Sequence, residues 1–180
     1  GLTYGRDARS ALEFDDDVFV VQSFSKYFNM TGWRLGWLVV PPRFLRDIEK
    51  LAQNLFISPS AAAQYAALAA FRPDTIAILE ERRNEFRKRR DFLAPALGAL
   101  GFRFPARPEG AFYLYADCSQ LTDDSTRFAS ELLESVGVAA TPGLDFGSNL
   151  PERYLRFAYT SDVTRLAEAV DRIRCFLGPA

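Results

Sequence analysis

The chain has 180 residues, of which 48% are hydrophobic and 25% charged, and this balance is typical of a soluble globular protein. Its net charge of -1, from 22 basic and 23 acidic residues, lacks the basic excess expected of a nucleic-acid-binding protein. No apolar run is long enough to span a membrane, and no secretory signal is visible. Histidine is absent and only two cysteines occur, which excludes Ser-His-Asp and Cys-His catalysis and disfavours a metal site or a disulfide framework. We therefore expect no nucleic-acid, membrane or metal partner, and a reducing cytoplasm as the location.

The first third of the chain contains two short apolar segments separated by a polar loop. Residues 18–22 predict a buried strand, and residues 35–40 predict a second one. The loop between them, residues 23–36, reads Ser-Phe-Ser-Lys-Tyr-Phe-Asn-Met-Thr-Gly-Trp-Arg-Leu-Gly. Two serines, one lysine and one arginine are thus predicted to lie together between buried strands.

Helices are predicted after the second strand. Apolar residues at spacings of three and four predict a helix over residues 42–55. Ser58 is the predicted N-cap of an alanine-rich, closely packed helix that begins at Pro59 and ends near Phe71. Pro73 opens a third helix, predicted over residues 73–100.

After Gly101 the pattern changes to that of a compact α+β unit. The predicted elements are strands at 102–104 and 111–116, a helix at 125–136 with Phe128, Leu132 and Leu133 inward, a strand at 137–140, a glycine-rich loop at 141–147, a strand at 154–159 and a closing helix at 162–176.

The long third helix carries a run of charges at its centre, residues 80–90. Such a run is typical of a solvated helix face with ion pairs between successive turns, rather than of a nucleic-acid site. A long exposed helix before a new pattern indicates a connector between domains. We expect a first domain over residues 1–72, the connecting helix over 73–101 and a second domain over 102–180.

Lys26 is the leading candidate for chemistry in the loop. A lysine amine sheltered from water becomes a nucleophile, and without histidine it is also a natural carrier of protons. Arg34 offers a planar fork that suits a phosphate. The structural alternatives are a solvated loop lysine and an ordinary surface arginine.

Two motifs carry a family resemblance. Ser-Phe-Ser-Lys at 23–26, followed by Thr-Gly-Trp-Arg-Leu-Gly at 31–36, resembles the cofactor-lysine signature of class I/II aminotransferases, which are fold-type I pyridoxal-phosphate enzymes. A Pro-Gly-x-x-Phe-Gly loop at 142–147 and a strand carrying Arg156 follow in the order found in that family. The resemblance covers essentially the whole chain.

The resemblance implies a role for each candidate residue. Lys26 would be the Schiff-base lysine of pyridoxal 5'-phosphate and the catalytic proton carrier. Ser23 and Arg34 would bind the cofactor phosphate, with Ser25 as a further phosphate ligand. Arg156 would bind the α-carboxylate of the substrate, although a structural salt bridge is the alternative for this residue. The implied partners are an amino acid and a 2-oxo acid, and a second copy of the full-length enzyme in a homodimer.

The resemblance also implies an incomplete fold. The expected architecture is α/β: the C-terminal part of the large cofactor-binding domain, plus an α+β small domain. The family's aspartate for the pyridine nitrogen and its tyrosine near the cofactor oxygen belong before the segment equivalent to Gly1. We therefore expect a C-terminal fragment that is inactive alone.

Two other functions remain open at this point. A lyase of the same fold would use the same lysine. An effector-binding domain of an aminotransferase-like transcription regulator would be non-catalytic and would follow a DNA-binding domain. The identity of the amino acid substrate is not determined by the sequence.

Overall fold

The chain forms two compact units, Gly1–Arg83 and Asn84–Ala180. The structure, a computed structural model, describes residues 1–5 and 8–178. The boundary between the units falls inside one continuous helix, α3, Pro73–Gly98. Each unit has its own sheet and is described by itself.

The sheet of the first unit is a two-stranded antiparallel ladder. Strand β1, Val20–Ser23, pairs with β2, Gly36–Val39, so that Ser23 lies opposite Gly36. Both predicted strands therefore exist, but the prediction that they are buried is wrong, because most of their residues are exposed. Within the described part of the chain, no further strand joins this ladder to extend it.

Two helices complete the first unit before α3. Helix α1, Leu45–Leu55, follows a 3-10 turn at Pro42–Phe44, as predicted for residues 42–55. Helix α2, Ala61–Ala70, begins later than the predicted start at Ser58 and Pro59, and its N-cap is Ser60. The physical reason is Ser60, whose ψ of 129° is extended, so that helical backbone geometry begins only at Ala61.

Helix α2 packs against the loop between the strands. Its buried alanines recur every three or four residues, so they share one helix face. Because alanine has a small side chain, that face approaches the loop closely. The buried cluster consists of Phe24, Met30 and Leu35 from the loop with Ala63, Ala67 and Ala70 from α2.

The sheet of the second unit has three antiparallel strands, in the order β3-β5-β4. Their bounds are Tyr113–Asp117 for β3, Thr141–Pro142 for β4 and Tyr154–Ala158 for β5. The predicted strand at 137–140 is wrong, because Gly137 is a left-handed helix cap and pairing begins only at Thr141. The predicted strand at 102–104 reduces to one bridge between Arg103 and Asp117.

Two helices pack in the second unit, at the predicted places. Helix α4, Ser125–Val136, and helix α5, Val163–Leu177, are capped by the side chains of Asp124 and Asp162. Leu133 is half exposed rather than inward, whereas Phe128, Ala129 and Leu132 are buried. The helix phase therefore places Ala129, not Leu133, against the core.

The two faces of the second sheet differ in character. One face is fully apolar and buried, with Leu114, Leu155 and Phe157 in the core. Since paired residues share a face, the other face carries Arg156 between Tyr115 and Thr141. Across the described ranges, every helix is too short or too polar to cross a membrane.

Candidate active site

The loop at 23–36 is closed at its base by backbone hydrogen bonds. Phe24 N–H donates to the Leu35 carbonyl at 3.1 Å, and Met30 N–H donates to the Phe24 carbonyl at 3.0 Å. Gly36 permits this close approach, because a Cβ there would come within 2.5 Å of the Gln22 carbonyl oxygen. The loop is also held in place by the buried cluster that three of its residues form with α2.

Hydrogen bonds link three of the candidate residues through Thr31. Ser25 N–H donates to Ser23 Oγ at 3.0 Å. Thr31 Oγ1 donates to the Ser25 carbonyl at 2.6 Å, and Arg34 Nη1 donates to the Thr31 carbonyl at 2.8 Å. Thr31 was part of the sequence motif but had no predicted role, and the structure shows it as the residue that bridges Ser25 and Arg34.

Two residues of the loop have unusual backbone conformations. Asn29 has a φ of 56° and Arg34 a φ of 52°, both in the left-handed region. Asparagine tolerates this region, but arginine costs about 1–2 kcal/mol there. Strain at a residue other than glycine is typical of functional loops, where the surrounding structure imposes it.

Lys26 has an exposed side chain, but hydrogen bonds fix the backbone and the residue next to it. The Lys26 side chain is exposed, and its carbonyl accepts from Asn29 N–H at 3.1 Å in a tight turn. The next residue, Tyr27, donates its phenol to Glu80 Oε1 at 2.5 Å. Burial, followed by the bond to Glu80, raises the pKa of Tyr27 to about 12, so this phenol stays neutral and serves as an anchor for the turn.

Arg156 lies in the second unit and is held by aromatic rings and a hydroxyl. Its guanidinium is 4.7 Å from the ring centre of Phe146 and 5.4 Å from that of Tyr113. Its Nη2 donates to Thr141 Oγ1 at 3.3 Å, while its Nε is buried without a hydrogen-bond partner. Within residues 1–5 and 8–178 no carboxylate forms an ion pair with it, so the structural salt bridge weighed from sequence is not formed there.

A cleft of about 610 Å³ opens beside these rings, entirely within the second unit. Its walls come from the irregular segment before β3, from the loop after β4 and from the exposed sheet face. The lining residues are Pro105, Ala106, Arg107, Pro108, Gly110, Ala111, Tyr113, Tyr115, Phe146, Gly147, Asn149 and Tyr154.

Sequence reasoning missed the aromatic residues of this cleft. Tyr113 and Tyr115 alternate along β3, and that period of two was a usable signal that both face one side. Tyr115 stacks on Tyr154 with ring centres 4.8 Å apart and planes 9° apart. Burial, followed by the neighbouring Tyr154 and Cys118, raises the pKa of Tyr115, so its phenol is neutral at neutral pH.

The structure thus brings four of the five predicted site residues into one loop: Ser23, Ser25, Lys26 and Arg34. Their donors fit a phosphorylated carbonyl compound such as pyridoxal 5'-phosphate. Hydroxyl and guanidinium groups bind phosphate, and an amine on the same loop suits a covalent bond to a carbonyl carbon. Arg156 belongs to the other unit and is placed there, not in this loop.

Comparisons with known proteins identify the family. The model of the family "Aminotransferase class I and II" matches residues 1–173. The chain therefore belongs to the class I and II aminotransferases.

Individual relatives agree with this membership. The chain is 40% identical to the valine–pyruvate aminotransferase of Mycobacterium tuberculosis, over 98% of this chain and 46% of that protein. It is 36% identical to the (5-formylfuran-3-yl)methyl phosphate transaminase of Methanocaldococcus jannaschii, over 98% of this chain and 47% of that protein.

A solved structure extends the similarity to the fold. The crystal structure of an aminotransferase from Mycobacterium tuberculosis superposes with a TM-score of 0.93 at 37% identity, covering 97% of this chain and 46% of that one. The chain thus spans about half the length of the relatives it matches.

Proposed function

We propose that the chain is the C-terminal half of a pyridoxal-phosphate-dependent aminotransferase. The observation that carries this proposal is the closed loop that carries Lys26 and in which hydrogen bonds through Thr31 link Ser23, Ser25 and Arg34. Under this proposal, residues 1–72 belong to the large domain, residues 73–101 connect the domains and residues 102–180 form the small domain. The exposed strands of the first unit support it, since their apolar residues, Val20, Val21, Trp37, Leu38 and Val39, suit strands that are covered in a longer chain.

Lys26 is the catalytic residue of the proposed function. Its Nζ would hold the cofactor covalently; once the amine of the substrate takes its place, the freed Lys26 amine would accept the proton of the substrate α-carbon as a base and donate it again as an acid. When bound, pyridoxal phosphate supplies the electron-withdrawing ring that stabilises negative charge on the α-carbon.

The remaining candidates bind and orient. Arg34 and the Ser23 hydroxyl hold the cofactor phosphate, and Ser25 keeps Ser23 in place through its N–H while offering its own hydroxyl. Arg156 binds the α-carboxylate of an amino acid or 2-oxo acid with its guanidinium fork, because aromatic faces rather than carboxylates surround its charge. The positions of Ser23 and Arg34 at the closed base of the loop favour binding of one phosphate by both.

The chain alone is expected not to transaminate, since the family's ring-nitrogen aspartate was not found in it. We further infer a homodimer for the full-length enzyme. The cytoplasmic location stays a prediction from the cysteine content.

Borohydride trapping tests the proposal directly. The purified chain is mixed with pyridoxal phosphate, reduced with borohydride and digested, and the labelled peptide is mapped by mass spectrometry. We expect the label on Lys26, a loss of that label in Lys26→Ala and weaker labelling in Arg34→Lys, which keeps the charge but not the fork. Lys50 and Lys88, which are exposed lysines outside the loop, serve as internal controls. Equal labelling of all three lysines would overturn the assignment.

A further inference from the structure

The cleft of about 610 Å³ in the second unit shares two aromatic residues with the surroundings of Arg156. Tyr113 and Phe146 line the cleft, and the same two rings pack against Arg156. A ligand whose carboxylate reaches Arg156 would therefore extend its remaining atoms towards these rings. The volume falls in the range of about 300–1,000 Å³ that is typical of small-molecule sites.

The cleft presents aromatic surface that the fold leaves uncovered. Tyr115 and Phe146 are 38% and 46% exposed, and their rings meet edge to face at 5.8 Å. Tyr154 backs Tyr115 in a parallel stack. A further ring entering here would find edges and faces in the arrangement that aromatic pairs prefer.

The opposite wall is irregular but held by buried donors. Tyr159, which is fully buried, donates its phenol to the Gly110 and Ala111 carbonyls at 3.2 and 3.1 Å. Arg90, also buried, donates to the Pro108 carbonyl at 2.5 Å. Ala111 is held with a φ of 66°. These bonds preorganise the wall, so that little ordering is left for a ligand to impose.

A dicarboxylate is the competing ligand, because Arg107 also lines the cleft. Arg107 is exposed, and an ion pair in such a setting is screened by water and contributes little. The cleft is lined by four aromatic rings but by only one cation, the solvated Arg107. This lining favours a ligand with an aromatic side chain over one with an acidic side chain.

We propose that this cleft receives the aromatic side chain of the substrate whose carboxylate Arg156 binds, so that the enzyme acts on aromatic amino acids and aryl 2-oxo acids. This inference rests on the proposed function, because it takes Arg156 as the carboxylate ligand.

Binding of three small acids to the purified 180-residue chain tests the inference without cofactor or turnover. The probes are 3-phenylpropionate, propionate and succinate, followed by backbone amide shifts in NMR titrations. We expect 3-phenylpropionate to bind more tightly than the other two, with shifts at Tyr113, Tyr115 and Phe146.

Variants of the chain distinguish binding of the ligand's aromatic ring from binding of its carboxylate. Phe146→Leu should raise the Kd of 3-phenylpropionate about 2- to 10-fold and leave that of propionate unchanged. Leu144→Ala is the matched control, since Leu144 lies on the same turn, is exposed and does not line the cleft. Arg156→Gln should weaken all three acids.

Each result has a defined meaning. Equal affinity for the three probes, tighter binding of succinate, or no saturable shift overturns the aromatic cleft. A ring preference that persists while Arg156→Gln changes no affinity supports the cleft and instead removes Arg156 from the proposed function.

Discussion

Asp117 shows how a single buried carboxylate is stabilised in the second unit. It is 4% exposed and accepts from Arg103 Nη2 and Arg153 Nη2, each at 3.1 Å, and from Ser119 N–H at 2.9 Å. Burial alone would raise the pKa of Asp117, but the bonds from Ser119 and the two guanidinium groups lower it below its ordinary value. The ionised form is therefore the one that the fold stabilises.

Replacing Asp117 with Asn should lower the free energy of unfolding at neutral pH by about 1–3 kcal/mol. Because the pKa is lower in the folded state, the stabilisation is complete above the unfolded value of about 3.9 and is lost as the pH falls through the folded value. Urea unfolding at several pH values measures this. The gap between wild type and Asp117→Asn should narrow in acid, and a gap independent of pH would contradict the assignment.

The two cysteines should differ sharply in reactivity. Burial raises the pKa of the Cys118 thiol to about 11, and its Sγ donates to the Arg153 carbonyl at 3.2 Å. Cys175 is exposed. Since the thiolate is the reactive form, a thiol reagent at neutral pH should label Cys175 quickly and Cys118 only after unfolding. In Cys175→Ser the fast phase should vanish; a fast phase that survives would show that Cys118 is accessible.

At the residue scale, sequence predicted the loop better than the surroundings of Arg156. The spacing of Lys26 and Arg34 was informative because the contacts that link the loop are local. The rings around Arg156 were not predictable, because Tyr113 and Phe146 are far apart in sequence and reach Arg156 only because β5 pairs with both β3 and β4.

At the scale of secondary-structure elements, Gly36 determines how closely the two strands of the first sheet can approach each other. Its missing Cβ allows β2 to approach β1, where Gln22 would otherwise be only 2.5 Å away. Gly36→Ala should therefore destabilise the first unit by about 1–3 kcal/mol, as overpacking does elsewhere. Gly32→Ala is the control, because nothing lies within 4 Å of a Cβ at that position.

Tryptophan fluorescence during urea unfolding measures the stability of the first unit in these two variants. Both tryptophans of the chain, Trp33 and Trp37, lie in the first unit, on either side of Gly36. The midpoint should fall for Gly36→Ala and stay near wild type for Gly32→Ala. Equal midpoints for the two variants would show that the strands adjust without cost.

Helices and strands were predictable in type but not always at their ends. Helices α4 and α5 begin after aspartate caps that the sequence displays. The start of α2 was misplaced because Ser58 and Pro59 look like a helix start in sequence, whereas the chain is still extended at Ser60. The burial of β1 and β2 was overestimated because a strand's composition does not say which neighbours are present.

For the whole molecule, the two units differ in how fully their cores are formed. Among the described residues, the largest fully buried side chains belong to the second unit with the exception of Pro41. The first unit relies on a small cluster and a two-stranded sheet, an arrangement of marginal stability.

Unfolding should therefore occur in two steps. Tryptophan fluorescence, which reports the first unit, should change at lower urea concentration than far-ultraviolet circular dichroism, which reports helices of both. Superimposable curves would instead mean that the units unfold together.

Helix α3 has a consequence for proteolysis. The boundary between the units contains a dense run of arginine and lysine, the residues that trypsin recognises. A protease needs several residues of extended chain, yet this stretch is continuous helix, with Arg89 and Lys88 paired to Glu85. Trypsin should consequently leave the boundary intact and cut first in irregular segments, so the two units are not separable by digestion even though the cleavage sites are concentrated between them.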